Sequence, residues 1–258
     1  MSRFLLVSIN IDAILQEPTI HRRRKKLNAM TDGLGLGDAY GATLDRVKGQ
    51  GGEKARLGMA TLMWISYAER PLKPDELCQA LAVEIGSPNL NNDNVPSIGT
   101  LLTCCRGLVV INKEASNVRL IHFTLQEYLR AHPQLFGTAH SSIAETCLSY
   151  LNSQQAKALS TTSSPDLQST PFLEYSSLYW GTHAKRDLSD RAKQLALKLF
   201  TVFRTVQSVR LGGRTGRTAG GSPSFFNSMD GLGQMEVGPD ALPCCYISSA
   251  RILTNLGA

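Results

Sequence analysis

The stretch Leu108–Leu129, "LVVINKEASNVRLIHFTLQEYL", decides the fold. "LVVIN" and "VRLIHF" are apolar and β-branched, and the polar "KEASN" lies between them, which is the signature of a β-hairpin. The second run leads straight into a helix. Thr124-Leu125-Gln126-Glu127 reads T-x-x-E, a capping box in which Thr124 accepts the Glu127 N–H and Glu127 reaches back to the Thr124 N–H. His122 stands just ahead of it, close to the free backbone donors of a helix start. Two readings follow. His122 is either a core histidine bonded to a carbonyl, or a donor to a phosphate held at the helix start.

Upstream of the hairpin the chain reads as three helices. Leu57, Ala60, Trp64 and Tyr67 fall at i, i+3, i+7 and i+10, one helical face. "ERPLKPDELCQAL" makes the second helix, with Pro74 in its first turn and Asp75 and Glu76 at the positive end. Ile98, Leu101, Leu102 and Cys105 stripe the third, and Gly107 sits where a left-handed cap belongs. Helix, helix, helix and hairpin is the layout of a winged-helix domain, placed at 55–132. The fold class is therefore mainly α, a winged helix (three helices plus a β-hairpin) between helical segments.

Further out the pattern stays helical. Residues 4–30 read as helix broken at Pro18, with the basic "HRRRKK" after it. Downstream, Ile143, Cys147, Leu148 and Leu151 stripe one helix. "PFLEYSSLYWGTHAKR" is an aromatic-rich one, and "SDRAKQLALKLFTVF" is a third. Beyond about residue 205 the chain is rich in glycine and serine without period, and reads as a disordered tail. Trp64, Tyr128, Tyr179 and Trp180 are read as aromatic packing or a docking face.

Composition narrows the chemistry. A net charge of +6 over 258 residues is below the density of a dedicated nucleic-acid binder, and much of the excess sits in the His21–Lys26 run. Such a run is by default a solvated helix face. The six cysteines contain no C-x-x-C and include two adjacent pairs, which fits neither a zinc site nor a secreted disulfide framework. Reduced thiols in a cytoplasmic or nuclear protein are the simplest reading. Asn10 and Asp12 break the apolar N-terminal run, so no signal peptide is read there. No segment reaches the roughly 18 apolar residues of a membrane span. There is no G-x-x-x-x-G-K-[ST], no G-x-S-x-G and no H-E-x-x-H. The five histidines are scattered at 21, 122, 132, 140 and 183. No residue stands out as catalytic, and none as a metal ligand.

Several segments, taken in order, resemble one family. They are "RFLLVSINIDAIL", "RRRKKL", "LMWISYAERPLKPDELCQAL", "LLTCCRGLVVI", "RLIHFTLQEYL", "IAETCLSYLN" and "LEYSSLYWGTHAKR". The resemblance covers about residues 1–190 and is to the fungal NACHT-type STAND NTPases. These are NLR-like, often carry ankyrin repeats, and contain the module named the GPI inositol-deacylase winged-helix domain. "LIHFTLQEYL" is similar to the family's "LHDLxxDFL" segment, with His122 on its histidine, Glu127 on its acid and Tyr128 on its aromatic. Phe123 stands where the family has aspartate. The resemblance implies a nucleotide-sensing role for His122, given an upstream NACHT domain to hold ATP or ADP. This chain itself implies no cofactor.

The resemblance also implies an order of domains. Residues 1–52 would be the helical end of a NACHT-type region, 55–132 the winged helix, 133–204 a helical linker that precedes ankyrin repeats in relatives, and 205–258 the tail. No P-loop precedes and no T-P-L-H-x-A follows, so the chain reads as a fragment. The expected function is a non-catalytic regulatory and interaction module of a nucleotide-switched NACHT–ankyrin signalling or scaffold protein. Its partners would be its own missing regions or homologous chains, with no membrane. The rival is a winged helix that binds nucleic acid. It is disfavoured because the third helix, "PSIGTLLTCCRGL", carries only Arg106 and looks buried.

Overall fold

The computed structural model describes residue 11 and residues 14–31, 36–159 and 170–212. Residues 205–212, expected to begin a disordered tail, continue a helix, Asp190–Gly212; the rest of that tail and most of the helix expected before Pro18 lie outside the described residues. The first described helix, α1 (Ile20–Thr31), starts two residues after Pro18 and carries the basic run. Glu17 takes two of its cations: Lys26 Nζ on the Glu17 carboxylate at 2.6 Å and Arg23 on the Glu17 carbonyl at 2.8 Å. Helix α2 (Leu36–Lys48) follows, with Tyr40, Leu44 and Val47 inward.

Helix α3 (Gly52–Tyr67) is the axis of the winged helix. Its partners α2 and α5 (Ile98–Cys104) close on it at Gly58. A Cβ there would stand 2.7 Å from Val47 Cγ1 and 2.8 Å from the Cys104 carbonyl, so only glycine fits this approach. Helix α4 (Pro74–Ala82) begins as its sequence dictates. Pro74 occupies the first turn, and Glu76 accepts the Lys73 N–H at 2.8 Å while its two oxygens hold the Arg70 guanidinium.

The hairpin is β1 (Val109–Asn112) and β2 (Asn117–Leu120), antiparallel, with Val109 opposite Leu120 and Asn112 opposite Asn117. Asn112 Oδ1 accepts the N–H groups of Glu114 and Ala115 and so folds the turn. Leu72, between α3 and α4, adds one rung by accepting the Val118 N–H at 2.9 Å. Gly107 is left-handed at φ +83°, and the left-handed stretch starts one residue earlier, at Arg106. Helix α6 (Phe123–Ala131) closes the domain through buried Leu125 and Leu129. Three helices, one strand rung and a hairpin make a winged helix.

A second, purely helical layer packs beside it. Helix α7 (Ala139–Asn152) is buried on nearly every side, as its small and apolar composition requires. Around it lie α8 (Gln154–Leu159), α9 (Leu173–Arg186) and α10 (Asp190–Gly212). The seam between the layers is aromatic. Trp64 of α3 meets Phe172 and Tyr175 edge-on at 5.6 and 5.9 Å between ring centroids.

Candidate functional site

At the junction around His122 the cap falls two residues earlier than the T-x-x-E pattern predicts. His122 is itself the N-cap of α6, extended at φ −153° and ψ 150°, and its Nδ1 accepts the Thr124 N–H at 3.3 Å. That donor is the one the capping box would have given to Glu127, which is exposed. Thr124 Oγ1 instead bridges His122 Nδ1 and the Tyr40 hydroxyl, both at 2.8 Å, and ties α6 to α2. Phe123 is 65% exposed beside it.

The four singled-out aromatics separate. Trp64 and Trp180 are buried, Trp64 at the seam and Trp180 against Phe200. Tyr128 is half-buried between Tyr40 and His132, whose Nδ1–H donates to the Tyr128 carbonyl. Tyr179 is half-buried against Tyr175, with the Arg70 guanidinium over both rings.

Helix α5 occupies the place where a winged helix that reads DNA presents its recognition helix. The sequence suggests a buried helix, but one of its faces is open. Leu101 and Cys104 face the core, whereas Gly99, Thr100 and Thr103 face outward. No cation lies on the outward face; Arg106 sits past the helix end.

One constellation comes together only through the fold. His140 opens α7, His183 lies in the second half of α9, and their Nδ1 atoms are 2.8 Å apart. His183 is fully buried, and its Nε2 lies 2.9 Å from the Tyr175 hydroxyl. That hydroxyl also accepts the Glu69 N–H at 3.1 Å. The Tyr175 oxygen has two lone pairs, so it accepts the Glu69 N–H and can either give its own O–H to His183 Nε2 or accept a proton from it. In the first arrangement His183 carries its proton on Nδ1 and donates to His140 Nδ1, with the His140 proton on Nε2. Burial, then His140, then Arg186 push the His183 imidazole down to about 3. Burial and Arg186 also lower His140, against the pull of Glu69 and Asp187. The Glu69 carboxylate joins the group: one ligand atom each from Glu69, His140 and His183 lies within 4.8 Å of the others. Arg186 grips that carboxylate with both terminal nitrogens, at 2.5 and 3.2 Å.

In the sequence these two histidines stand 43 positions apart, with no spacing that pairs them. A signal was present. His140 is in phase with Ile143 and Cys147 on α7, and His183 with Ser176 and Trp180 on α9, so both lie on buried stripes. The described cysteines, Cys78, Cys104, Cys105 and Cys147, are buried and free. Burial raises the Cys78 thiol to about 11 and the Cys105 thiol to about 12.

Residues 45–142 match the model of a family described as GPI inositol-deacylase, winged helix domain. No curated protein and no solved structure matches the chain. The family match corrects the reading of the chain as a fragment of a fungal, NLR-like NACHT-type STAND NTPase. What it supports is a winged-helix domain associated with the GPI inositol-deacylase family. The NACHT–ankyrin signalling role falls with that reading. The chain carries no P-loop and no nucleophile elbow. No helix among the described residues is long and apolar enough to cross a membrane.

Proposed function

We propose that this chain is a non-catalytic interaction module that binds protein, not DNA. The observation that carries this reading is the outward face of α5, which offers Gly99, Thr100 and Thr103 where a groove-reading helix needs cations. Deacylase chemistry, which the matched family's name mentions, needs an activated nucleophile, and this chain has no serine elbow. The contact point we favour is the start of α6, where Phe123 presents an exposed aromatic ring from a rigid helix end. Four buried free thiols fit a reducing compartment, so the module works in the cytoplasm or nucleus.

The test is a salt titration of the chain against labelled duplex DNA, paired with a photoreactive residue placed at position 123 or at position 103 in cells. We expect no saturable DNA binding at low salt, and protein adducts at 123 but not at 103. Saturable, steeply salt-dependent DNA binding with nucleic-acid adducts at 103 would replace this reading with a nucleic-acid one.

A further inference from the structure

We propose that Glu69, His140 and His183 form a binding site for a divalent cation of the zinc class, a staple between the winged helix and the helical layer. The three donors come from separate segments: the α3–α4 connection, the first turn of α7 and the second half of α9. Glu69 and His140 fall within the family-matched span and His183 falls beyond it, so a shared cation would join the two.

The donor set suits such an ion. Two imidazole nitrogens and one carboxylate are the borderline ligands zinc prefers, and half-exposed His140 leaves room for a water in the fourth place. At nitrogen–metal bonds of about 2.0–2.1 Å, tetrahedral geometry sets two nitrogens roughly 3.3 Å apart. The present 2.8 Å therefore has to open by about half an ångström. His140, on the rim and packed edge-on against Tyr67, has to make that shift, because His183 is buried and held by Tyr175.

With the shared proton on His183 Nδ1, His140 presents an Nδ1 lone pair. His183 does so once its proton moves from Nδ1 to Nε2. Its bond to Tyr175 then reverses: Nε2–H donates, the phenol O–H turns away, and no proton leaves the protein. A ligating histidine held through its other nitrogen is the usual support of a metal site. A carboxylate has about four lone-pair sites, so Glu69 can keep Arg186 on its shorter arm and turn the 3.2 Å arm to the ion. The Arg186 charge opposes the ion and limits its affinity. Removing that charge should strengthen binding, a response that an ion held elsewhere on the surface would not show.

The experiment titrates chelator-stripped full chain with Zn2+ by calorimetry and with Co2+ by visible absorption. We expect one equivalent to bind, with the intense visible bands of four-coordinate cobalt and a rise in melting temperature. His140→Ala, on the half-exposed rim, should weaken binding at least about tenfold and abolish the rise in melting temperature. Arg186→Gln should tighten binding, and His132→Asn should leave it unchanged. His183 is buried and its variants risk misfolding, so His140 carries the test. No saturable uptake, or uptake that persists in His140→Ala, overturns the proposal, since the ion would then be absent or adventitious.

Discussion

The winged helix and the helical layer beside it fill their interiors differently. From α2 to α6 the buried side chains are mostly leucine, valine, cysteine and aromatic rings, with Thr43, Thr61, Ser66 and Glu76 among them. Around α7 and α9 the interior also holds Ser141, Thr146, Ser149, Asn152, Ser153, Ser176, Ser177 and His183. Half of these hydroxyls, those of Thr146, Ser176 and Ser177, bond within their own helix. Ser176 and Ser177 donate to carbonyls three or four residues back, so they cost little and let the helices approach, but they select no partner. Selection falls to the few that cross. Ser141 donates to the Asp187 carbonyl, Asn152 to the Leu195 carbonyl, and His183 meets His140. The winged helix adds a few crossing bonds, such as Tyr40 to Thr124, to a largely apolar close fit, whereas the helical layer buries more polar groups and relies more on bonds that cross.

The seam where the two meet gives the largest expected effect. Trp64→Ala should cost about 3–5 kcal/mol in denaturant unfolding, because the ring packs both layers at once. If the loss is under 1 kcal/mol, the layers are not held through this contact.

Shape control predicts a pair of opposite signs. Gly58→Ala should destabilise by about 1–3 kcal/mol, since its Cβ runs into a side chain and a backbone carbonyl. Gly99→Ala meets nothing nearer than Ser97 Oγ at 3.8 Å and should stabilise by up to about 1 kcal/mol through helix propensity. Equal effects at the two glycines would remove close packing as the cause.

Bond control predicts a local loss. Asn152→Ala removes the bond to the Leu195 carbonyl, which keeps its own helical partner, and should cost about 0.5–1.5 kcal/mol. Hydrogen exchange should quicken at the first turns of α10 while α3 and α5 stay protected. Equal quickening in both layers would argue for a single cooperative interior.

The smallest effect is chemical. Thiols pushed to about 11 and about 12 by burial, as at Cys78 and Cys105, should stay silent to a thiol reagent at mild alkaline pH. They should react only as the protein unfolds. Rapid labelling of either in the native state would show that the winged-helix core opens readily.

Much of the winged helix was legible because its signals are local. Pro74 with Glu76, the stripe of α5, Gly107 and the two β-branched runs each act within a few residues. Local signals fail where one element serves two neighbours. Helix α3 shows a single stripe from Leu57 to Tyr67, yet Gly58, Thr61 and Leu62 are also buried, because α2 and α5 close on the flank away from the seam. The α6 cap moved from Thr124 to His122 for a similar reason. The Tyr40 hydroxyl of α2 draws off the Thr124 oxygen, and no local pattern records a residue 84 positions away. The candidate site was least legible of all. Its histidines were visible only as members of two separate buried stripes.

The sequence by itself determined the mainly helical class, the hairpin and the absence of a phosphate-cradling loop or serine elbow, since these depend on residue types at short spacing. Only the tertiary structure decided which face of α5 meets solvent, where α6 is capped, and that His140, His183, Tyr175 and Glu69 share one hydrogen-bonded cluster. Those outcomes depend on how helices cross, and a crossing is set by side-chain volumes on both partners together, not by the period of either one.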